Sequence, residues 1–166
     1  MALIKADGSN YETADTYADL ADARSYALAR GITLTAVDSD LEVNLVKSVG
    51  FIDSFRDKFK GVKTNETGLL QFPRTSVYID GYLQDSDSIP QLIIDAQSQL
   101  CIEIHNGIDF EPTLTSGFLV YRQVGPIIRR FSERVATSQK PRMTTFNNLM
   151  AQLLRQGNGA ASVIRV

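Results

Sequence analysis

The chain has 166 residues, 43% of them apolar and 22% charged, which suits one domain with a core of its own. Its total charge of −2 hides a split, because residues 1–121 carry a net −9 and residues 122–166 a net +7. No apolar run approaches the ~20 residues of a membrane span, and the lone Cys101 can form neither an internal disulfide nor a thiolate metal cluster.

The start, Met1-Ala2-Leu3-Ile4-Lys5, lacks the charged and apolar regions of a signal peptide, so the chain reads as soluble and made in a cytoplasm. Residues 3–12 read as an extended arm turning at Asp7-Gly8, and residues 1–18 together as an N-terminal arm. Asp19 is a capping residue for a first helix, with Asp22 near its positive end. Ala23, Tyr26, Ala27 and Arg30 follow, and Gly31 is a stop. Ser39 and Glu42 predict a capping box for a second helix. Leu45, Val49, Ile52, Phe55 and Phe59 fall on one face of it at helical spacing, and Gly61 ends it.

Residues 61–88 are polar and turn-rich, with Gly68, Pro73 and Gly81. A structureless stretch of that length is uncommon in a compact domain, so it is either ordered from within or in contact with a partner. Ser88-Ile89-Pro90 opens a third helix with Ile89, Ile93, Ala96, Leu100 and Ile104 on its apolar face and Gly107 at its end. Cys101, between Leu100 and Ile102, reads as a buried, inert thiol. Residues 117–134 change period from helical to alternating and are interrupted by Gly125-Pro126, which predicts a strand pair or a strand broken by a bulge. A fourth helix is expected over about Thr144 to Gln156 with Phe146, Leu149, Met150 and Leu153 inward. Gly157-Asn158-Gly159 is a hinge, and Ser162 to Val166 has the composition of a short free strand. The expected fold is therefore mainly α. It is a small bundle of about four helices over residues 1–156, with one strand pair, extended terminal arms and a separate arm at 157–166.

Groups for catalysis do not converge in this pattern. His105, near the end of the third helix, suits the negative helix end. The triplets Asp38-Ser39-Asp40 and Asp85-Ser86-Asp87 precede helices and read as caps rather than metal sites. Asp95 and Glu103 lie eight residues apart on one helix and read as a solvated face. P-loop, GxGxxG and HExxH motifs are missing, so the expectation is a protein that is not an enzyme and uses no cofactor or metal. Nucleic acid is the harder alternative. Arg122, Arg129, Arg130, Arg134, Lys140, Arg142, Arg155 and Arg165 could neutralise phosphates, and Tyr121 and Phe131 could stack on bases. The same residues also read as surface charge over core aromatics in an acidic protein of pI about 5.4.

Several segments, taken in order, resemble the head–tail adaptor (head completion) proteins of tailed phages, many of which also carry the label DnaT-like single-stranded-DNA-binding protein. They are Leu3-Ile4 with Asp7-Gly8, then Thr16-Tyr17-Ala18-Asp19 and Ala29-Arg30-Gly31. Phe59-Lys60-Gly61, Gln71-Phe72-Pro73-Arg74-Thr75, Gly81, and Ile89-Pro90 with Ala96-Gln97 follow. Val124-Gly125-Pro126, the leucine-rich helix, the glycine hinge and Val163-Ile164-Arg165-Val166 complete the set. Phe72 stands where that family often has tryptophan. The resemblance implies a virion protein at the neck, in a ring of about twelve copies. Such a ring sits under the portal protein, lets double-stranded DNA pass through its lumen, and offers a platform to the next neck or tail component. In such a ring the charge split makes Arg122, Arg129, Arg130 and Arg134 candidates for the subunit contact, and the glycine hinge before a β-prone pentapeptide makes Val163, Ile164, Arg165 and Val166 candidates for docking. Phe72, Pro73, Arg74, Pro90, Gly125 and Pro126 are the structural motif residues of the resemblance.

Overall fold

The computed structural model describes residues 3–34, 36–110, 121–124, 127–130 and 143–155. Four helices make the body: α1 (Leu20–Leu28), α2 (Asp38–Asp53), α3 (Gln91–His105) and α4 (Thr144–Ala151). Three two-stranded antiparallel ribbons accompany them. These are β1 (Val62–Lys63) with β2 (Arg74–Thr75), β3 (Tyr78–Ile79) with β4 (Tyr82–Leu83), and β5 (Tyr121–Val124) with β6 (Ile127–Arg130). The fold is mainly α with minor strands.

Helix α3 is the centre because it is apolar on two sides. Ile93, Ala96 and Leu100 join Tyr17, Val49, Ile52, Phe59, Phe72 and α4's Phe146 and Met150 in one core cluster. Cys101 and Ile102, a third of a turn away, join Ala23, Tyr26 and Ala27 of α1 and Leu41 and Leu45 of α2 in a second. Burial pushes the Cys101 thiol up to about 11, which leaves it protonated and inert at neutral pH.

Helix α1 starts as its sequence predicts: Asp19 accepts from the Asp22 amide, and the Asp22 carboxylate accepts from the Asp19 amide. Helix α2 does not. Its N-cap is Val37, without a side-chain cap, and Ser39 already lies inside the helix. Asp38 and Asp40 instead place negative charge in the first turn, and Asp38 pairs with Arg24 of α1. The helix also stops at Asp53 rather than near Gly61, and a 3-10 turn (Arg56–Lys58) carries the chain on. Phe59 is therefore buried from an extended backbone. The second acidic triplet caps nothing either, since the N-cap of α3 is Pro90. Helix α4 ends at Ala151 rather than near Gln156. After it, Leu154 bridges Phe59, and Lys60 and Arg155 donate backbone hydrogen bonds to Leu153 and Lys58.

The stretch 61–88 is ordered from within the chain. Asp80 and Gly81 both have positive φ between Ile79 and Tyr82, the geometry of a tight two-residue hairpin turn. Gly61 can only be glycine, because its φ is +68° and a Cβ there would sit 2.1 Å from the Thr75 carbonyl oxygen. The N-terminal segment is extended but embedded: Lys5 bridges Thr16, and Ala6, Ala14, Thr16, Tyr17 and Ala18 are buried. The strand pair expected in 117–134 is present as β5–β6, with the rest of that span outside the described residues. The expected arm 157–166 also lies outside them.

Candidate functional site

The β5–β6 ribbon holds three of the arginines expected at a subunit contact. Its register sets Tyr121 opposite Arg130, Arg122 opposite Arg129, Gln123 opposite Ile128 and Val124 opposite Ile127. The β1–β2 ribbon likewise sets two cations in register, Lys63 opposite Arg74, and there both donate to carbonyls of their own chain. Arg134, Gly125 and Pro126 lie outside the described residues, as do Val163, Ile164, Arg165 and Val166.

Several cations of the body are answered by their own chain. Lys5 pairs with Asp22 at 2.6 Å, and Arg24 with Asp38. Lys60 donates to the carbonyls of Gln152 and Tyr78, and Lys63 to that of Gly68. The Arg30 guanidinium lies 3.3 Å from the centre of the Tyr26 ring. Arg74 is buried, with its guanidinium donating to Lys60 O at 2.9 Å and Gly61 O at 3.1 Å, near the rings of Phe59 and Phe72. Burial lowers its pKa, and the nearby Arg155 adds to that. Arg155, from the basic quarter, also reaches inward to Gly61 O at 3.3 Å.

The motif Phe72-Pro73-Arg74 is therefore an internal clamp. Phe72 meets Tyr17 and Phe59 edge-to-face at centroid distances of 6.3 and 5.0 Å, and the Phe72–Pro73 peptide is cis. Tyr17 adds a polar anchor. Its hydroxyl donates to Asp53 Oδ1 at 2.6 Å and accepts from the amides of Gln71 and Phe72. Burial pushes Asp53 up to about 6, against the lowering effects of the Tyr17 hydroxyl, the Gln71 amide and Lys63. Burial, with the Asp53 charge second, raises Tyr17 well above the usual phenol range.

A second anchor is neutral. Gln97 is fully buried, and all four of its hydrogen bonds are made. Its Oε1 accepts from the amides of Tyr17 and Ala18, and its Nε2 donates to Thr16 Oγ1 and the Leu45 carbonyl. Glu103 departs from expectation. It is buried rather than on a solvated face, with Oε1 accepting from Gln99 and Oε2 unpartnered. Asp95, by contrast, stays half-exposed and accepts from Gln91. His105 is in the last turn of α3. Among the described residues, no group of three or more His, Cys, Asp or Glu side chains could hold a metal ion, and no helix is long and apolar enough to cross a membrane.

Two outer surfaces went unread in the sequence. The β3–β4 hairpin exposes Tyr78, Tyr82 and Leu83, and the Asp80-Gly81 pair between alternating apolar residues was the signal for it. On α2, Val43 and Val46 are exposed, next to a cleft of about 690 Å³ whose lining includes Lys47, Gly50, Phe51, Ile104 and Phe110. Their i, i+3 spacing opposite the buried face was the signal there.

A family model described as "Putative DnaT-like ssDNA binding protein" matches residues 1–166. No curated protein and no solved structure matches the chain. With the match running the whole length, the chain belongs to this DnaT-like family.

Proposed function

We propose that this DnaT-like family member is a structural virion protein, a head–tail connector adaptor. Its copies form a ring under the portal, extend the DNA channel and provide the platform for the next neck or tail component. The observation that carries the reading is the opposition of Arg122 and Arg129 on a short ribbon, in a chain whose first 121 residues have a net charge of −9. In a heterologous ring each subunit turns one face to the opposite face of its neighbour. The acidic body of the next copy is then a counter-charge for the basic quarter. Individual rim ion pairs contribute only about 0–1 kcal/mol, so these charges set register and oppose wrong contacts while apolar burial supplies most of the affinity. DNA passing through such a ring must slide, which suits a protein in which Lys5, Arg24, Lys60, Lys63 and Arg74 are turned onto its own chain. In this reading the segment 163–166, after the glycine hinge, docks on the portal or the next ring by strand addition.

The family description favours a second reading, a single-stranded-DNA-binding module, for which Tyr78 and Tyr82 are exposed stacking surfaces. One set of measurements separates the two. Native mass spectrometry of the full chain should show rings, and the double variant Arg129→Glu, Arg130→Glu should lose them. Deleting residues 158–166 should leave the fold intact and end co-sedimentation with the portal. Anisotropy of a labelled single-stranded oligonucleotide at two salt concentrations should show weak binding. Micromolar or tighter binding with a steep salt slope, together with assembly indifferent to the charge reversal, would establish the DNA-binding reading instead.

A further inference from the structure

We infer that the β3–β4 hairpin of one copy seats in the cleft between α2 and the end of α3 of a second copy of this chain. The inference rests on the ring reading and specifies its joint. On the hairpin, Tyr78, Tyr82 and Leu83 are 53%, 76% and 60% exposed. The register sets Tyr78 directly opposite Leu83, so the two share a face, while Tyr82 flanks the turn and stands opposite Ile79. Ile79 packs against the core and roots the hairpin. Lys60 Nζ donates to the carbonyls of Tyr78 and Gln152 and so ties the hairpin base to the end of α4. Asp80 and Gly81, with φ of 51° and 85°, fix the tight turn at the tip. The exposed side chains are thus held ready, and burying them against a partner orders little that is not ordered already.

The cleft, of about 690 Å³, has two walls. Lys47, Gly50 and Phe51 come from α2, and Ile104, Asp109 and Phe110 from the last turn of α3 and the residues after it. Its apolar lining is aromatic, with the Phe51 ring 4.9 Å from that of Phe110 and 5.6 Å from that of Phe146, centre to centre. Aromatic walls suit an aromatic occupant, since ring pairs attract beyond the area they bury. Gly50 is exposed, and a Cβ built on it would meet nothing within 4 Å, so the α2 wall is open to close approach by a neighbour's chain. The charges agree. Asp80 at the hairpin tip and Lys47 at the cleft are both exposed, and neither is in a salt bridge among the described residues. Asp109 stands on the opposite wall, so a seating that brings Asp80 to Lys47 keeps it from the like charge. The two surfaces also lie apart on one copy. The chain runs from the hairpin into the first turn of α3, and the cleft is at the last turn, about 21 Å further on at the helical rise. Complementary surfaces at separate places join copies head to tail, the heterologous contact from which rings are built. A tyrosine buries about 150–250 Å², and a standard interface takes about 800 Å² from each partner. The hairpin in its cleft is therefore the apolar centre of the joint, with the acidic body and the basic quarter at its rim.

The test uses the full chain and mass photometry over a concentration series. Tyr82→Ala removes the most exposed ring of the hairpin, and Gly50→Leu fills the cleft from its α2 wall. Each alone should weaken self-association by about tenfold or more. Tyr82→Ala should keep the melting temperature of the parent, and Gly50→Leu should raise it by about 2–4 °C because a glycine leaves a helix interior, so neither loss of assembly is a loss of folding. An equimolar mixture of the two variants should form dimers and stop there. One intact hairpin then meets one intact cleft, and the other hairpin and cleft are both disabled. Rings from both variants like those of the wild type would overturn this joint and leave the ring standing. Variants that fail singly and do not pair on mixing would also overturn it, since the lost contact would then lie elsewhere. Weaker binding of a single-stranded oligonucleotide by Tyr82→Ala with assembly intact would overturn it too and give the hairpin to nucleic acid. A wild-type chain that stays monomeric at every concentration, with and without portal, would overturn the ring and the joint together.

Discussion

Arg74 and Arg129 both stand on short antiparallel ribbons with a cation in register, Lys63 opposite the one and Arg122 opposite the other. On β2, Arg74 is answered by its own chain. Two carbonyls accept from its guanidinium at ordinary hydrogen-bond distances, and two aromatic rings lie beside it. On β6, the residue in register with Arg129 is another arginine. The net charges of −9 and +7 do not contain this distinction. A cation whose partners are backbone carbonyls belongs to the fold, as Arg74 does although it too has a cation, Lys63, in register with it; in the proposed ring Arg129 is answered by a neighbouring copy. The arginine of the Phe-Pro-Arg motif thus belongs to the fold.

The comparison breaks if the body's polar anchors turn out to be dispensable. The largest effect is expected at Gln97. Replacing it by leucine keeps the volume but leaves the amides of Tyr17 and Ala18 and the Leu45 carbonyl buried without partners. The cost should be about 3–5 kcal/mol in urea denaturation, while Arg129→Glu should shift stability by no more than about 0.5 kcal/mol. Comparable shifts for the two variants would end the distinction between an inward and an outward region. The next effect is at Arg74. Lysine keeps the charge but cannot reach Lys60 O and Gly61 O as a fork. Arg74→Lys should lose about 2 kcal/mol of stability with assembly unchanged when compared at equal fractions folded. A normal stability with a lost ring would move Arg74 to the functional side.

Legibility followed distance along the chain. The Asp19 cap and the apolar faces of α3 and α4 were readable because their partners lie within one or two turns. The cap expected from Ser39 failed because Val37 enters the helix first, so that the serine is already inside it. The β1–β4 ribbons were missed as strands because two residues carry no period, although Asp80-Gly81 marked one of their turns. Gln97 gave no signal, since its partners Tyr17 and Ala18 are 80 and 79 residues away in sequence. Glu103 was misplaced for the related reason that i, i+8 spacing fixes a side of the helix but not what covers it. At the candidate site the arginines and the strand pair could be read, and the opposition of Arg122 to Arg129 depended on the register that the structure supplies.

The smallest expected effect concerns Asp53, a carboxylate that the body holds at a cost. Its carboxyl is pushed up to about 6 in the folded chain, chiefly by burial, against about 3.9 for an unperturbed aspartate. Between those values the folded state binds more protons than the unfolded state, so this group's contribution to stability falls as pH rises through the window. The penalty is absent below about pH 4 and complete above about pH 6. Asp53→Asn removes the charge and keeps an oxygen that can accept from the Tyr17 hydroxyl. It should therefore be more stable than the parent at neutral pH by about 1–2 kcal/mol, with a flatter stability profile between about pH 4 and pH 6 in urea titrations. A variant less stable than the parent at neutral pH would mean that the Asp53 charge is answered more fully than the Tyr17 hydroxyl, the Gln71 amide and Lys63 together suggest. The acidic body would then hold its negative charge inside as comfortably as it holds Arg74. Less of its −9 would be left to face the ribbon of a neighbour, and the contrast between the two regions would narrow.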